Sequence, residues 1–265
     1  MLTKDEAICI RALDYSETSQ IVTFFTRATG KISAIAKGSK RPRSAFDGTI
    51  EVFSYGKIVV SIPNREKLAT LTEFEQQTNF NRLADDLFAL NCSFFATELI
   101  NLLTNEYDPH PGLFDSFLQF LQGANEHRAS RIENRESSIE HRDTLSLLIL
   151  FQLALLKEIG LQPVLNACVN CKTRYSAGRL TAEIRDTRYE IYFSSSANGL
   201  ICRDCQNSFP DKIRLTKTAA NALSDLKLLA ESGKNTLNEI ETVLIHHFTE
   251  LLGHRPKMAK YILKT

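Results

Sequence analysis

The sequence contains no apolar run long enough to cross a bilayer. Its strongest, Leu147 to Leu156, is interrupted by Gln152 and falls short of the roughly 18 residues a spanning helix needs, so it reads as a buried helix. No apolar stretch with a small-residue cleavage site follows Met1, which argues against export to an oxidising compartment and predicts a cytoplasmic protein. Catalytic signatures are missing as well: there is no Walker loop, no Gly-rich dinucleotide turn and no G-x-S-x-G elbow. None of the six histidines opens the His-x-Glu of a zinc deaminase, and His246-His247 lacks the glutamate spacing of a zincin. An enzyme is therefore the weaker class, and neither a membrane nor a small-molecule substrate is expected.

Net charge is nearly absent too, at +1 over 265 residues. The total conceals a segregation along the chain: +3 for residues 1–82, −7 for 83–167 and +5 for 168–265. Two basic segments flank an acidic one, so a polyanionic partner is not excluded by the balance.

What the sequence does have is a pair of cysteine knuckles, Cys168-Val-Asn-Cys171 and Cys202-Arg-Asp-Cys205, with thirty residues between them. Each C-x-x-C turns two thiolates toward one ion, and two such turns complete a tetrahedral shell of the kind zinc fills. A closed shell leaves no open coordination position, so the metal would hold structure. Iron in a rubredoxin-like site would use the same four sulfurs, and a redox pair is the competing use of a single C-x-x-C. Cys9 and Cys92 stand alone on apolar stretches and read as small buried hydrophobes.

Periodicity divides the chain. From Glu6 to Gln77 the apolar residues come in short β-branched and aromatic runs at 7–10, 21–25, 32–36, 50–62 and 68–74. Turn signals at Thr29-Gly30, Pro42, Gly48 and Pro63-Asn64 separate them, and five such strands predict a small antiparallel barrel. After Asn81 the period becomes helical, with Leu83, Leu87, Leu90, Phe94, Phe95, Leu99, Leu102 and Leu103 on one side. A second helix is expected over Leu113 to Leu121, ended by Gly123, and a buried one over Thr144 to Ile159, ended by Gly160. Residues 124–143 carry few large apolar side chains and read as an exposed loop or solvated helix. Between the knuckles, 188–194 alternates as a strand and Asn198-Gly199 marks a turn. Two amphipathic helices close the chain, one from about Lys217 to Ala230 and one opening on a capping box, Thr236 with Glu239, and ending at Gly253.

The barrel segment carries Arg27, Lys31, Lys37, Lys40, Arg41 and Arg43 between Glu17 and Asp47 with no acid among them. A five-stranded barrel with a basic loop is similar to an OB-fold, whose surface follows a nucleic-acid backbone by charge while rings stack on bases. Phe53 and Tyr55 are the candidate rings. Arg214, Arg255 and Lys257 in the C-terminal part could extend a DNA path, or serve as ordinary surface charge or protein contacts.

These residues resemble a known family. Tyr15-x-Glu17-x-x-x-Ile21-Val22-Thr23-x-Phe25-Thr26, then Gly30-Lys31-Ile32-x-Ala34-Ile35-Ala36-Lys37-Gly38 and Lys40-Arg41-Pro42-Arg43-Ser44, are similar to the N-terminal domain of the bacterial RecO recombination mediators. Tyr192-Phe193-Ser194, Gly199-Leu200-Ile201-Cys202 and the C-terminal Gly253-His-Arg-Pro-Lys-Met-Ala-Lys-Tyr-Ile-Leu263 follow in family order.

The resemblance implies an α+β multidomain fold: an N-terminal OB-fold β-barrel followed by an all-α domain with an inserted Cys₄ zinc-binding module. The expected boundaries are 1–80 for the DNA-binding barrel, 81–166 for the first helical part, 167–212 for the zinc module and 213–265 for the C-terminal helical part. It also implies a non-catalytic DNA repair protein that binds single- and double-stranded DNA, anneals strands, binds the C-terminal tail of the single-strand-binding protein SSB, and with RecR helps load RecA. Family members would be cytoplasmic and nucleoid-associated. DNA contact carries over to Lys37, Lys40, Arg41 and Arg43, then to Arg27 and Lys31, and structural Zn²⁺ to Cys168, Cys171, Cys202 and Cys205. An acidic, apolar-ended SSB tail calls for an apolar groove with a cationic rim. The acidic middle segment offers only Arg128, Arg131, Arg135, Arg142 and Lys157 for it. The alternative reading is a zinc-ribbon adaptor that binds only protein, its basic barrel merely solvated.

Overall fold

The computed structural model describes residues 2–41, 44–46, 48–63, 68–126, 137–175 and 190–263, with 137–140 as backbone only. The chain forms two compact units, each discontinuous in sequence: Met1–Asp86 with Leu103–Asn125, and Leu87–Leu102 with Glu126–Thr265.

In the first unit, β1 (Leu2–Asp14), β2 (Gln20–Thr26), β3 (Gly30–Ala36), β4 (Ser54–Ser61) and β5 (Ala69–Asn79) close a barrel in the order β1-β2-β3-β5-β4. All pairings are antiparallel except β3 with β5, which is parallel over three residue pairs. This is an OB-like barrel. The long β1 serves two neighbours by shifting register between Cys9 and Arg11, a bulge that lets it curl from β2 to β4. Phe24, Ile32, Ile58, Val60, Leu71 and Phe74 fill the interior, with the Phe24 and Phe74 rings 5.6 Å apart.

The fourth strand starts later than the run from Ile50 predicts. Phe53 takes a φ of 70°, which no strand residue does, and its N–H donates to Cys9 O at 2.7 Å. Glycine is needed at position 30: φ is +79° and a Cβ there would sit 2.3 Å from Asp108 O. Helix α2 (Pro111–Glu126) belongs to this unit, laying the Phe114 ring 6.0 Å from Phe25 and 6.4 Å from Tyr55. It runs through Gly123, where the sequence predicted its end. Burial of Phe120, Leu121 and Ala124 outweighs the roughly 1 kcal/mol that an internal glycine costs.

The second unit contains nearly all of α1 (Leu87–Leu103), then α3 (Ser137–Glu158), a three-stranded sheet of β6 (Ile191–Ser194), β7 (Gly199–Cys202) and β8 (Ile213–Leu215), and helices α4 (Lys217–Ser224), α5 (Lys234–Leu252) and α6 (Ala259–Ile262). Helix α3 begins at Ser137, inside the stretch read as loop or solvated helix; residues 127–136 lie outside the described part. The strand expected from 188 is described only from Ile191.

Two helix boundaries differ from expectation. The helix expected over 217–230 stops at Ser224, and Asp225 caps a separate 3-10 turn, Leu226–Leu229, by accepting from Lys227 N. The capping box at Thr236 does not form, because α5 starts at Lys234 behind Gly233 and Thr236 sits within its first turn. Glu239 instead crosses to α4, where it accepts from Thr216 N and the Thr216 hydroxyl at 2.6 Å each, while Thr216 Oγ1 accepts from Ala219 N. The box is thus assembled from two helices. Gly253 ends α5 at φ +71°, as predicted.

Candidate nucleic-acid interface and metal centre

The basic turn of the barrel is built, residue by residue, onto a fixed support. After β3 the chain reverses at Gly38 (φ +73°), and Arg41 N–H donates to Gly38 O at 3.0 Å. Lys40 N–H donates to Thr18 O at 3.1 Å and Gly38 N–H to Ser19 Oγ at 3.3 Å, tying the turn to the β1–β2 connection. Underneath, Gln20 is 3% exposed. Its Oε1 accepts from Ser39 Oγ and from Ile50 N–H, both at 3.0 Å, and its Nε2 donates to Ile50 O at 3.1 Å. One buried amide therefore does for residues 39 and 50 what a neighbouring strand would do.

Gln20→Ala leaves buried backbone groups of Ile50 without partners. It should cost about 3 kcal/mol, since each orphaned group costs about 1–3 kcal/mol; urea unfolding of variant and wild type measures it.

The structure sorts the six predicted basic residues. Lys37 and Arg41 are exposed, and neither is in an ion pair among the described residues. Lys40 is half-buried and pairs with Asp14. Arg43 lies outside the described residues, as does Pro42. Arg27 is held between Glu6 at 3.2 Å and Asp115 at 3.0 Å. Lys31 must be corrected: it is 9% exposed and its Nζ donates to Thr104 O at 2.9 Å. Burial pulls its pKa below the ordinary lysine value, with nearby Glu106 opposing. Its ammonium is committed to a carbonyl.

The candidate rings are sorted in the same way. Phe53 is 4% exposed and belongs to the core; Tyr55 is partly covered and packs against Phe114. An exposed ring near the turn is Tyr15, 62% exposed, on the connection that anchors the basic turn, where Tyr15 N–H donates to Ser19 O. Sequence reasoning gave Tyr15 no role. A lone aromatic in the polar run Asp14-Tyr-Ser-Glu-Thr-Ser19 was the signal for it.

The four knuckle cysteines come together in the second unit, their sulfurs all within 4.8 Å of one another. A tetrahedral ion with metal–sulfur bonds of about 2.3 Å needs sulfurs about 3.8 Å apart, and Cys171 Sγ already lies 3.6 Å from Cys202 Sγ. Donors surround the cluster as thiolates require: Cys202 N–H points to Cys168 Sγ at 3.4 Å, Asn170 Nδ2 to Cys205 Sγ at 3.3 Å, and Thr173 Oγ1 lies 3.2 Å from Cys171 Sγ. The two halves are joined by backbone, with Val169 N–H donating to Leu200 O and Leu200 N–H to Val164 O. A Cβ on Gly199 would meet Val164 O at 2.5 Å, so this close approach needs glycine. The four residues could hold a metal ion. Cys9, by contrast, is fully buried, and burial pushes its thiol pKa up to about 12, as befits a hydrophobe.

Among the middle cations, Arg142 pairs with Asp143 at 3.0 Å and Lys157 is exposed, while Arg128, Arg131 and Arg135 lie outside the described residues. No described helix is long and apolar enough to cross a membrane.

Comparison with known proteins agrees with this arrangement. The family profile described as "Recombination protein O N terminal" matches residues 1–80, and "Recombination protein O C terminal" matches 84–260. The chain is 30% identical over 269 aligned residues to the "DNA repair protein RecO" of Bacillus pumilus strain SAFR-032, covering 99% of this chain and 94% of that one. It is 29% identical to the protein of the same name from Bacillus subtilis strain 168, with the same coverage. Likeness to that of Anaeromyxobacter dehalogenans strain 2CP-C is 27%, over 94% of this chain and 92% of the other.

Proposed function

The chain belongs to the recombination protein O family, and from that premise we propose that it is a DNA-binding recombination mediator without catalytic activity of its own. It binds single- and double-stranded DNA, anneals complementary strands, engages the C-terminal tail of SSB, and with RecR loads RecA onto SSB-coated strands. DNA binding is assigned to the barrel segment 1–80, a structural Zn²⁺ to Cys168, Cys171, Cys202 and Cys205 of the module 167–212, and the remaining helical parts to 81–166 and 213–265. The working place is the cytoplasm, at the nucleoid.

The observation that carries the DNA-binding reading is the rigid basic turn. Lys37 and Arg41 stand exposed, with no ion pair among the described residues, on a loop fastened from below by Gln20 and from the side by Thr18 and Ser19. Annealing brings two like-charged strands together, and a fixed cationic surface lowers that repulsion by releasing counterions, with no need to read bases. Arg41 adds a planar fork that grips phosphate oxygens, Lys40 and Arg43 flank it in sequence, and Arg27 can join only by giving up a carboxylate partner. Tyr15 supplies the ring on which an unpaired base stacks.

Fluorescence anisotropy of labelled DNA across a salt series tests this. Lys37→Glu/Arg41→Glu should bind single strands at least about tenfold more weakly, with a salt slope shallower by about 1.4, because each phosphate contact contributes about 0.7. Tyr15→Ala should weaken single-strand binding far more than duplex binding. Unchanged affinity and slope in both variants would favour the protein-only adaptor.

A further inference from the structure

Between Gly253 and Leu263 the chain carries His254, Arg255, Lys257 and Lys260 and no acid. All four side chains are exposed, and none is in an ion pair among the described residues. The segment is not a loose tail. Pro256, Ala259 and Ile262 are buried, and the Glu98 carboxylate of α1 accepts from Lys257 N–H and Met258 N–H at 2.8 Å each. Glu98 is thereby spent on backbone donors and leaves the neighbouring cationic heads uncompensated. Tyr261 follows, 49% exposed, with the Lys260 ammonium 4.7 Å from its ring centre. Arg214, the other basic candidate of this half, is instead tied to Glu190 at 2.7 Å.

We propose that His254–Tyr261 is a second nucleic-acid surface, in the unit that does not contain the barrel, taking a single strand with phosphates on Arg255, Lys257 and Lys260 and a base on the Tyr261 ring. The proposal rests on the DNA-binding reading above. Charge alone would suit any polyanion; the exposed ring selects a strand with unpaired bases, because stacking needs a free π-face that a duplex does not offer. The Lys260 ammonium lies against one face of the ring, so the base takes the other, with the cation close by for its phosphate. The fixed backbone matters as well, since a surface already ordered loses little entropy when the strand arrives.

The test is anisotropy with a single strand and a duplex of equal length, using Arg255→Glu/Lys257→Glu/Lys260→Glu, Tyr261→Ala and the barrel variant Lys37→Glu/Arg41→Glu side by side. The triple variant should bind the single strand at least about tenfold more weakly with a salt slope lower by about 2, from three contacts of about 0.7 each. Tyr261→Ala should lose about tenfold on the single strand and less than about twofold on the duplex. If the C-terminal variants bind as wild type while the barrel variant weakens, the second surface is wrong and the barrel reading stands; if all three bind as wild type, both fall. Thermal melting checks folding. Should the triple variant not fold, Arg255→Gln/Lys260→Gln, which only neutralises exposed heads, makes the same decision: a reduced salt slope supports the surface and an unchanged slope overturns it.

Discussion

Stripping the metal from the four-cysteine centre should release one zinc ion per chain and lower the melting temperature by roughly 10 °C, the expected shift for a loss of about 4 kcal/mol in a unit of this size. Cys168 should be the most sensitive ligand. It is fully buried, whereas Cys171 is exposed and Cys202 and Cys205 are half-exposed. Cys168→Ser would leave a hydroxyl among apolar neighbours in addition to losing the ion. The loss should stay well below the roughly 10–16 kcal/mol of a zinc-finger peptide, because the sheet behind the knuckles has a core of its own. Ile191, Phe193, Leu200 and Ile201 are buried there, and the Val169–Leu200 and Leu200–Val164 hydrogen bonds need no metal. DNA binding by the barrel turn should change less than about twofold, since that turn is fastened entirely within the other unit. Metal analysis of purified protein and melting of the four single Cys→Ser variants measure this. A metal-free protein whose variants melt as wild type would remove zinc from the account.

Much of the barrel was legible because each strand is a local event. β-branched runs and Gly, Pro and Asn turns mark it without reference to the rest of the chain. What stayed hidden depends on distant residues. The parallel pairing of β3 with β5 leaves no mark on the period of either strand. Helix α2 belongs to the barrel unit through Phe114, which nothing in its amphipathic pattern distinguishes from a helix of the other unit. The capping box failed for the same reason. Thr236 and Glu239 have the right spacing, but the glutamate finds a stronger use on Thr216, twenty-three residues away.

The site shows the same division. Four cysteines at knuckle spacing identify each other, and the structure brings all four together. Cations do not identify their neighbours. Lys31 and Lys37 look alike in sequence, yet one is buried against Thr104 O and the other is exposed, because Lys31 lies beside the segment at 104–108 that packs onto β3. Arg27 loses its freedom to Asp115, eighty-eight residues on. Phe53 was a candidate ring until its positive φ turned it into the core, and that backbone state is set by the hydrogen bond to Cys9.

The stability of the helical unit should peak on the acid side of neutrality and fall toward alkaline pH, because two ionisable groups are sealed inside it. Glu241 is fully buried, and among the described residues its carboxyl accepts from Gln152 Nε2, at 2.8 and 3.0 Å. Burial pushes its pKa from 4.5 up to about 8, with the Gln152 hydrogen bond opposing. His247 is fully buried, neither ring nitrogen has a hydrogen-bond partner among the described residues, and the ring stands edge-to-face with Phe193 at 5.3 Å. Burial, aided by His246, lowers its pKa from 6.5 to about 4. The folded unit therefore keeps the Glu241 proton that the unfolded chain sheds above pH 4.5, so stability falls as pH rises toward about 8. It also refuses the His247 proton that the unfolded chain takes below pH 6.5, so stability falls as pH drops toward about 4. Between pH 4.5 and 6.5 the two slopes cancel. Above that window only Glu241 acts, and the wild type should lose about 1.4 kcal/mol per pH unit, roughly 2 kcal/mol by about pH 8. Glu241→Gln keeps the shape and a hydrogen bond to Gln152 but has no proton to lose, so its urea-unfolding free energy should stay flat over the same range. His247→Phe should remove the loss below pH 4.5 and uncover the Glu241 slope between pH 4.5 and 6.5, leaving the slope above 6.5 unchanged. Parallel alkaline slopes in wild type and Glu241→Gln would mean that the buried carboxyl is not the group that titrates.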